Sequence, residues 1–75
     1  MSKLPSVSSK RLIQVLYKVG FSRHQETGSS HLVFSHADGR RTTVPRHGSR
    51  DIPKGTLRAI LRDINISPEE FAKLL

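Results

Sequence analysis

Gly28-Ser29-Ser30-His31-Leu32-Val33-Phe34-Ser35-His36-Ala37-Asp38-Gly39-Arg40-Arg41-Thr42-Thr43-Val44 is the stretch that decides the fold. A small-residue turn feeds a β-branched and aromatic run, His31 to His36, which is predicted to be a strand. Ala37-Asp38-Gly39-Arg40 has turn chemistry, and Arg41 to Val44 reads as the returning strand, ended by Pro45. Period-two alternation puts Leu32 and Phe34 on one face of the hairpin and His31, Val33 and Ser35 on the other. If the first face meets the core, His31 points away from it. Upstream, Phe21 to Gln25 is a weaker strand candidate, which would complete a three-stranded antiparallel sheet.

Helical periodicity brackets this sheet. Leu12, Ile13, Leu16 and Val19 predict an amphipathic helix running to about Val19, with Ser8 or Ser9 as cap and Gly20 as stop. Tyr17 is expected on the flank of that core face, and Lys3 to Val7 is a short extended lead-in. Beyond a basic connector from Arg46 to Pro53, Lys54-Gly55-Thr56 opens a second helix. Its Leu57, Ile60, Leu61 and Ile64 stand at i, i+3, i+4 and i+7. Ser67, Pro68 and Glu70 spell a capping box for a third, short helix carrying Phe71, Leu74 and Leu75. The expected architecture is α+β, with helices on one face of the sheet and the other face open.

The 75 residues are expected to form one domain, 1–75, with a marginal core. No cysteine is present, which removes disulfide frameworks and thiolate zinc sites. The first twenty residues carry Lys3, Pro5, Lys10, Arg11 and Lys18 with no continuous apolar stretch. A signal peptide or membrane span is not expected, and a cytoplasmic home fits. The formal charge is +7. Arg40, Arg41, Arg46, Arg50, Lys54, Arg58 and Arg62 fall in one segment opposed only by Asp51, so the excess is concentrated there. Such a concentration favours a polyanionic or acidic partner over a merely solvated face.

His24, His31, His36 and His47 lack the one-face helical pairing of a metalloprotease motif, so neither a metal site nor any other cofactor is expected. Ser29 and Ser30 lack a base and an orienting acid at recognisable spacing, which speaks against a serine nucleophile. No phosphate-binding loop of the nucleotide-hydrolase type occurs. The remaining chemistry is acid/base work at His31, set against the plainer reading of a surface histidine beside a tight turn. Tyr17, Phe21, Phe34 and Phe71 are the only aromatics, most of them needed by the core, so recognition of a nucleic-acid backbone is expected rather than a base-stacking sheet.

Lys3-Leu4-Pro5, Leu12 to Gly20-Phe21, Gly28-Ser29-Ser30-His31, Asp38-Gly39-Arg40, Val44-Pro45-Arg46-His47 and Gly55-Thr56-Leu57-Arg58-Ala59-Ile60-Leu61 together resemble the HicA toxins of bacterial and archaeal toxin–antitoxin pairs. The resemblance runs from about Leu4 to Phe71. It implies a fold like that of double-stranded-RNA-binding domains, a ribosome-independent mRNA interferase activity, and neutralisation by a HicB-type antitoxin. It also implies that His31 is the catalytic histidine. Two positions depart from the family pattern: an arginine often found ahead of this turn is His24 here, and a glycine common between the last two helices is Asn65.

From these readings Ser30, Arg46, His47, Arg50 and Lys54 are the candidate RNA contacts, and His31 is the candidate general acid/base. One histidine cannot carry both proton transfers of a phosphodiester cleavage at once, and His24 and His47 are the candidates for the second. A non-catalytic RNA-binding module and a protein-interaction domain docking an acidic partner are the alternatives that the same basic surface would serve.

Overall fold

The computed structural model describes residues 4–24, 31–46 and 49–75. In chain order the elements are α1 (Ser9–Lys18), β1 (Ser22–Arg23), β2 (His31–Ser35), β3 (Arg41–Pro45), α2 (Lys54–Ile64) and α3 (Pro68–Leu74). The strands form one antiparallel sheet in the order β1-β2-β3. This is the expected α+β arrangement.

Each helix starts and stops where its local chemistry requires. The Ser8 hydroxyl accepts the Arg11 amide and caps α1. Gly20, at φ 98°, ends it: the Phe21 amide reaches back to the Leu16 carbonyl and the Gly20 amide to that of Tyr17. Asn65 does the same for α2 at φ 56°, with Ile66 bonded to Leu61 and Asn65 to Arg62. Both are Schellman closures, one on glycine and one on the residue that next best tolerates the left-handed region. Asn65 therefore preserves the turn that a glycine would make. The Ser67–Glu70 capping box of α3 is present with Pro68 in its first turn.

The sheet has two unlike faces. Leu32, Phe34, Thr42 and Val44 are buried, together with Leu12, Val15 and Leu16 of α1, Leu57, Ile60, Leu61 and Ile64 of α2, and Phe71 of α3. Directly opposite residues of an antiparallel pair share a face, so the register places His31 with Pro45, Val33 with Thr43, and Ser35 with Arg41 on the other side. Of these, His31, Thr43 and Arg41 are exposed. Buried Thr42 meets its polar requirement by donating its hydroxyl to the Asp63 carboxylate, 3.1 Å away on α2.

The strand boundaries depart slightly from expectation. β1 is two residues rather than five, because Phe21 is drawn into the core by the Schellman closure; His24 still donates its amide to the Val33 carbonyl, and Gln25 lies outside the described residues. β2 stops at Ser35, since His36 begins the turn in which the Gly39 amide returns to the His36 carbonyl. β3 includes Pro45. The His36 amide bonds the Arg40 carbonyl, and bonded pairs alternate, so His31 and Pro45 form a non-hydrogen-bonded pair. A proline there leaves no gap in the ladder.

The lead-in has a larger role than its length suggests. Leu4 and Val7 are core residues. The Ile52 amide donates to the Val7 carbonyl, Ser8 and Asp51 form an antiparallel bridge, and Lys54 donates through Nζ to the Leu4 carbonyl. The lead-in and the connector before α2 thus lie side by side.

Candidate functional site

His31 is exposed at the first position of β2, on the open face. The sequence folds it there because Leu32 and Phe34 must enter the core, and alternation then sends His31 outward. Its cross-strand partner is Pro45, so the next residue in the chain, Arg46, is brought to the same end of the sheet. Arg46 is exposed as well. The Ser9 hydroxyl donates to the Pro45 carbonyl over 2.7 Å, fixing the end of β3 against the start of α1.

The other expected site residues are spread along the edge that follows. Arg50 is exposed just before the Asp51 bridge. Lys54 is the first residue of α2, and its ammonium is engaged by the Leu4 carbonyl. The α2 N-cap, Pro53, makes no side-chain cap bond, so the first turn of this helix keeps donors that an anion would accept. Ser30 and His47 lie outside the described residues. Among the described residues no group of three His, Cys, Asp or Glu gathers in a way that could hold a metal ion.

His24 and His31 share the open face, because His24 stands opposite Val33 and Val33 is two residues from His31. The His24 ring, however, meets the Ser35 hydroxyl through Nε2, at the far side of Val33 from His31. His36 is drawn elsewhere: its ring is edge-on to Phe21 at 5.2 Å, and its Nδ1 accepts the Asp38 amide at 3.1 Å.

Not every arginine of the basic segment is offered to solvent. Arg40 is half-buried; its Nε donates to the Asp38 carboxylate at 2.8 Å, its Nη1 to the Ile64 carbonyl, and its guanidinium lies over the Phe21 ring. It joins the hairpin turn to the C-terminal end of α2, where carbonyls lack helical partners. The Arg40 amide and guanidinium hold the Asp38 carboxyl below its ordinary value, with a smaller contribution from His36.

One feature of this end was not foreseen. Lys10, Ile13, Gln14 and Tyr17 on α1, with Ser9, Leu32 and Arg46, line an open groove of about 460 Å³. Tyr17, expected to flank the core, does so by one edge: its ring stands edge-on to Phe34 at 5.8 Å while the residue is 51% exposed. The signal was present in the sequence as a second stripe, at i, i+3, i+4 and i+7 from Lys10.

Compared with known families, residues 9–66 match the model of the HicA toxin of bacterial toxin–antitoxin systems. The chain belongs to the HicA toxin family. The HicA span starts at the first residue of α1 and ends on Ile66, the residue that closes α2, so it takes in the whole sheet, His31, Arg46, Arg50 and Lys54. As a member of this family the chain is the toxin of a toxin–antitoxin pair, with an antitoxin as partner. No single curated protein matches it. Among the described residues no helix is long and apolar enough to cross a membrane.

Proposed function

We propose that this HicA-family toxin is a metal-independent endoribonuclease that cuts mRNA without the ribosome, with His31 as its general acid/base. The observation that supports this most is the exposed imidazole at the head of β2, on the face of the sheet that the helices do not cover, with Arg46 following its cross-strand partner. In the reaction the ribose 2′-oxygen attacks the adjacent phosphorus and the bond from phosphorus to the 5′-oxygen breaks. A proton leaves the 2′-hydroxyl and one arrives on the 5′-oxygen; His31 performs one of these transfers. The products are a 2′,3′-cyclic phosphate and a 5′-hydroxyl. Arg46, with Ser30 and turn amides, stabilises the charge that builds on the phosphorane. Arg50 and His47 hold flanking phosphates, and Lys54, whose ammonium also bonds the Leu4 carbonyl, adds its charge at the start of α2. For the second proton transfer His47 is the better candidate, since the His24 ring is turned to Ser35.

In this reading the toxin acts in the cytoplasm, and its antitoxin is of the HicB type. The antitoxin inhibits by covering His31 and the basic segment together, which protection of both on complex formation would reveal.

The test is cleavage of a defined RNA in excess chelator, with the product ends identified. Cyclic phosphate ends, and resistance of a substrate carrying one 2′-deoxy nucleotide at the cut, are the expected results. RNA that binds and stays intact would demote the protein to a binding module.

A further inference from the structure

α1 presents two stripes. Leu12, Val15 and Leu16 face the core, whereas Lys10, Ile13, Gln14 and Tyr17 form the wall of the groove closed on its other side by Leu32 and Arg46. Its floor is apolar, from Ile13, Leu32 and the Tyr17 ring. Its rim carries a lysine, an arginine and an amide, with no acid among the lining residues. The Tyr17 ring is held by its edge contact with Phe34 rather than swinging free, and Tyr17 is the one large hydrophobic side chain that is exposed among the described residues.

The groove lies at the same end of the hairpin as His31 but on the opposite face of the sheet, and Arg46, which lines it, is the residue at the edge between the two. Leu32 follows His31 in β2, and Arg46 follows the residue paired with His31. A ligand that fits must offer a flat apolar face, hydrogen-bonding groups at its edge and an anion within reach of Arg46. A nucleotide has these three properties. A purely apolar protein helix would strip water from Lys10 and Arg46 without compensation.

We infer that this groove is a base subsite: it takes one unpaired nucleobase of an RNA strand whose backbone passes Arg46 at the edge of the sheet, with the base against Tyr17 and its edge at Gln14. The inference rests on the ribonuclease reading and deepens it. A base seated there must leave its helical stack, so single-stranded RNA is preferred over duplex.

The chain has one tyrosine and no tryptophan, so its intrinsic emission reports on Tyr17 alone. The probes are a short 2′-O-methyl oligoribonucleotide, which cannot be cut because its 2′-oxygen is blocked, and the same oligomer with abasic positions. The base-bearing oligomer is expected to quench Tyr17 emission and the abasic one to leave it unchanged. Measured by anisotropy of labelled oligomer, Tyr17→Ala is expected to weaken base-bearing binding roughly tenfold, Tyr17→Phe to retain it, and neither to change abasic binding.

Oligomer binding that leaves Tyr17 emission constant and is indifferent to Tyr17→Ala would overturn the subsite while the RNA reading stands. Failure of both oligomers to bind the unaltered chain at low salt would remove both readings. A Tyr17→Ala effect on antitoxin binding alone would assign the groove to the protein partner and overturn the inference. The emission measurement needs no variant, so it remains decisive if Tyr17→Ala melts early.

Discussion

The two ends of the β2–β3 hairpin carry the same kind of residues and put them to opposite uses. At the turn end Arg40 is joined to Asp38, lies over Phe21 and ties to the last turn of α2 through the Ile64 carbonyl, while His36 packs on Phe21 and Gly20. At the other end His31 and Arg46 are exposed, and Arg46 lines an open groove. A histidine and an arginine are packed into the fold at one end and stand exposed at the other. Charge alone therefore does not mark a site; what matters is how far the fold leaves the side chain open to solvent.

The largest expected effect lies at the open end. His31→Ala should cost on the order of 10²–10⁴-fold in RNA cleavage in a protein that circular dichroism shows to be folded. At the turn end the order reverses. Arg40→Gln removes charge-assisted bonds and a cation–π contact, and should cost about 2 kcal/mol in urea unfolding while leaving cleavage intact wherever the protein is folded. A loss of that size is serious here, because 75 residues at the usual stability per residue amount to roughly 4–11 kcal/mol in total.

Gly20→Ala sharpens the same contrast. A Cβ there would come within 2.9 Å of His36 Nε2, at a φ of 98° that side chains resist, so about 1–2 kcal/mol should be lost with no change in RNA affinity. Arg46→Gln should act chiefly on RNA: binding weakens, and the slope of log affinity against log salt falls by about 0.7 for a single-stranded ligand. An unchanged slope would remove Arg46 from the phosphate path.

The smallest effect belongs to Asp38. Its folded carboxyl sits below its ordinary value, so its contribution is complete above the unfolded value and is lost as pH falls through the folded one. Asp38→Asn should flatten the acid limb of the melting-temperature profile and leave the profile near neutrality almost unchanged.

The fold was legible because its signals are local. Alternation in Leu32 to Phe34, the helical spacing of Leu57 to Ile64, Gly20 as a stop and the Ser67–Glu70 box each depend on a few neighbouring residues, and each corresponds to an observed feature. The exposure of His31 followed from the same alternation. What escaped the sequence depends on tertiary partners far along the chain. Arg40 counts as surface charge until the end of α2 arrives beside it, and Lys54 until the lead-in does; Tyr17 meets the core only by its edge on Phe34. None of these meetings leaves a periodicity to read.

The most direct test of the division between the two ends is RNA cleavage in chelator by the unaltered protein, His31→Ala and Arg40→Gln, each with a urea unfolding curve measured in parallel. The expected result is a folded, inactive His31→Ala and a more strongly destabilised, active Arg40→Gln. A folded His31→Ala that cuts RNA as fast as the unaltered chain would contradict the account.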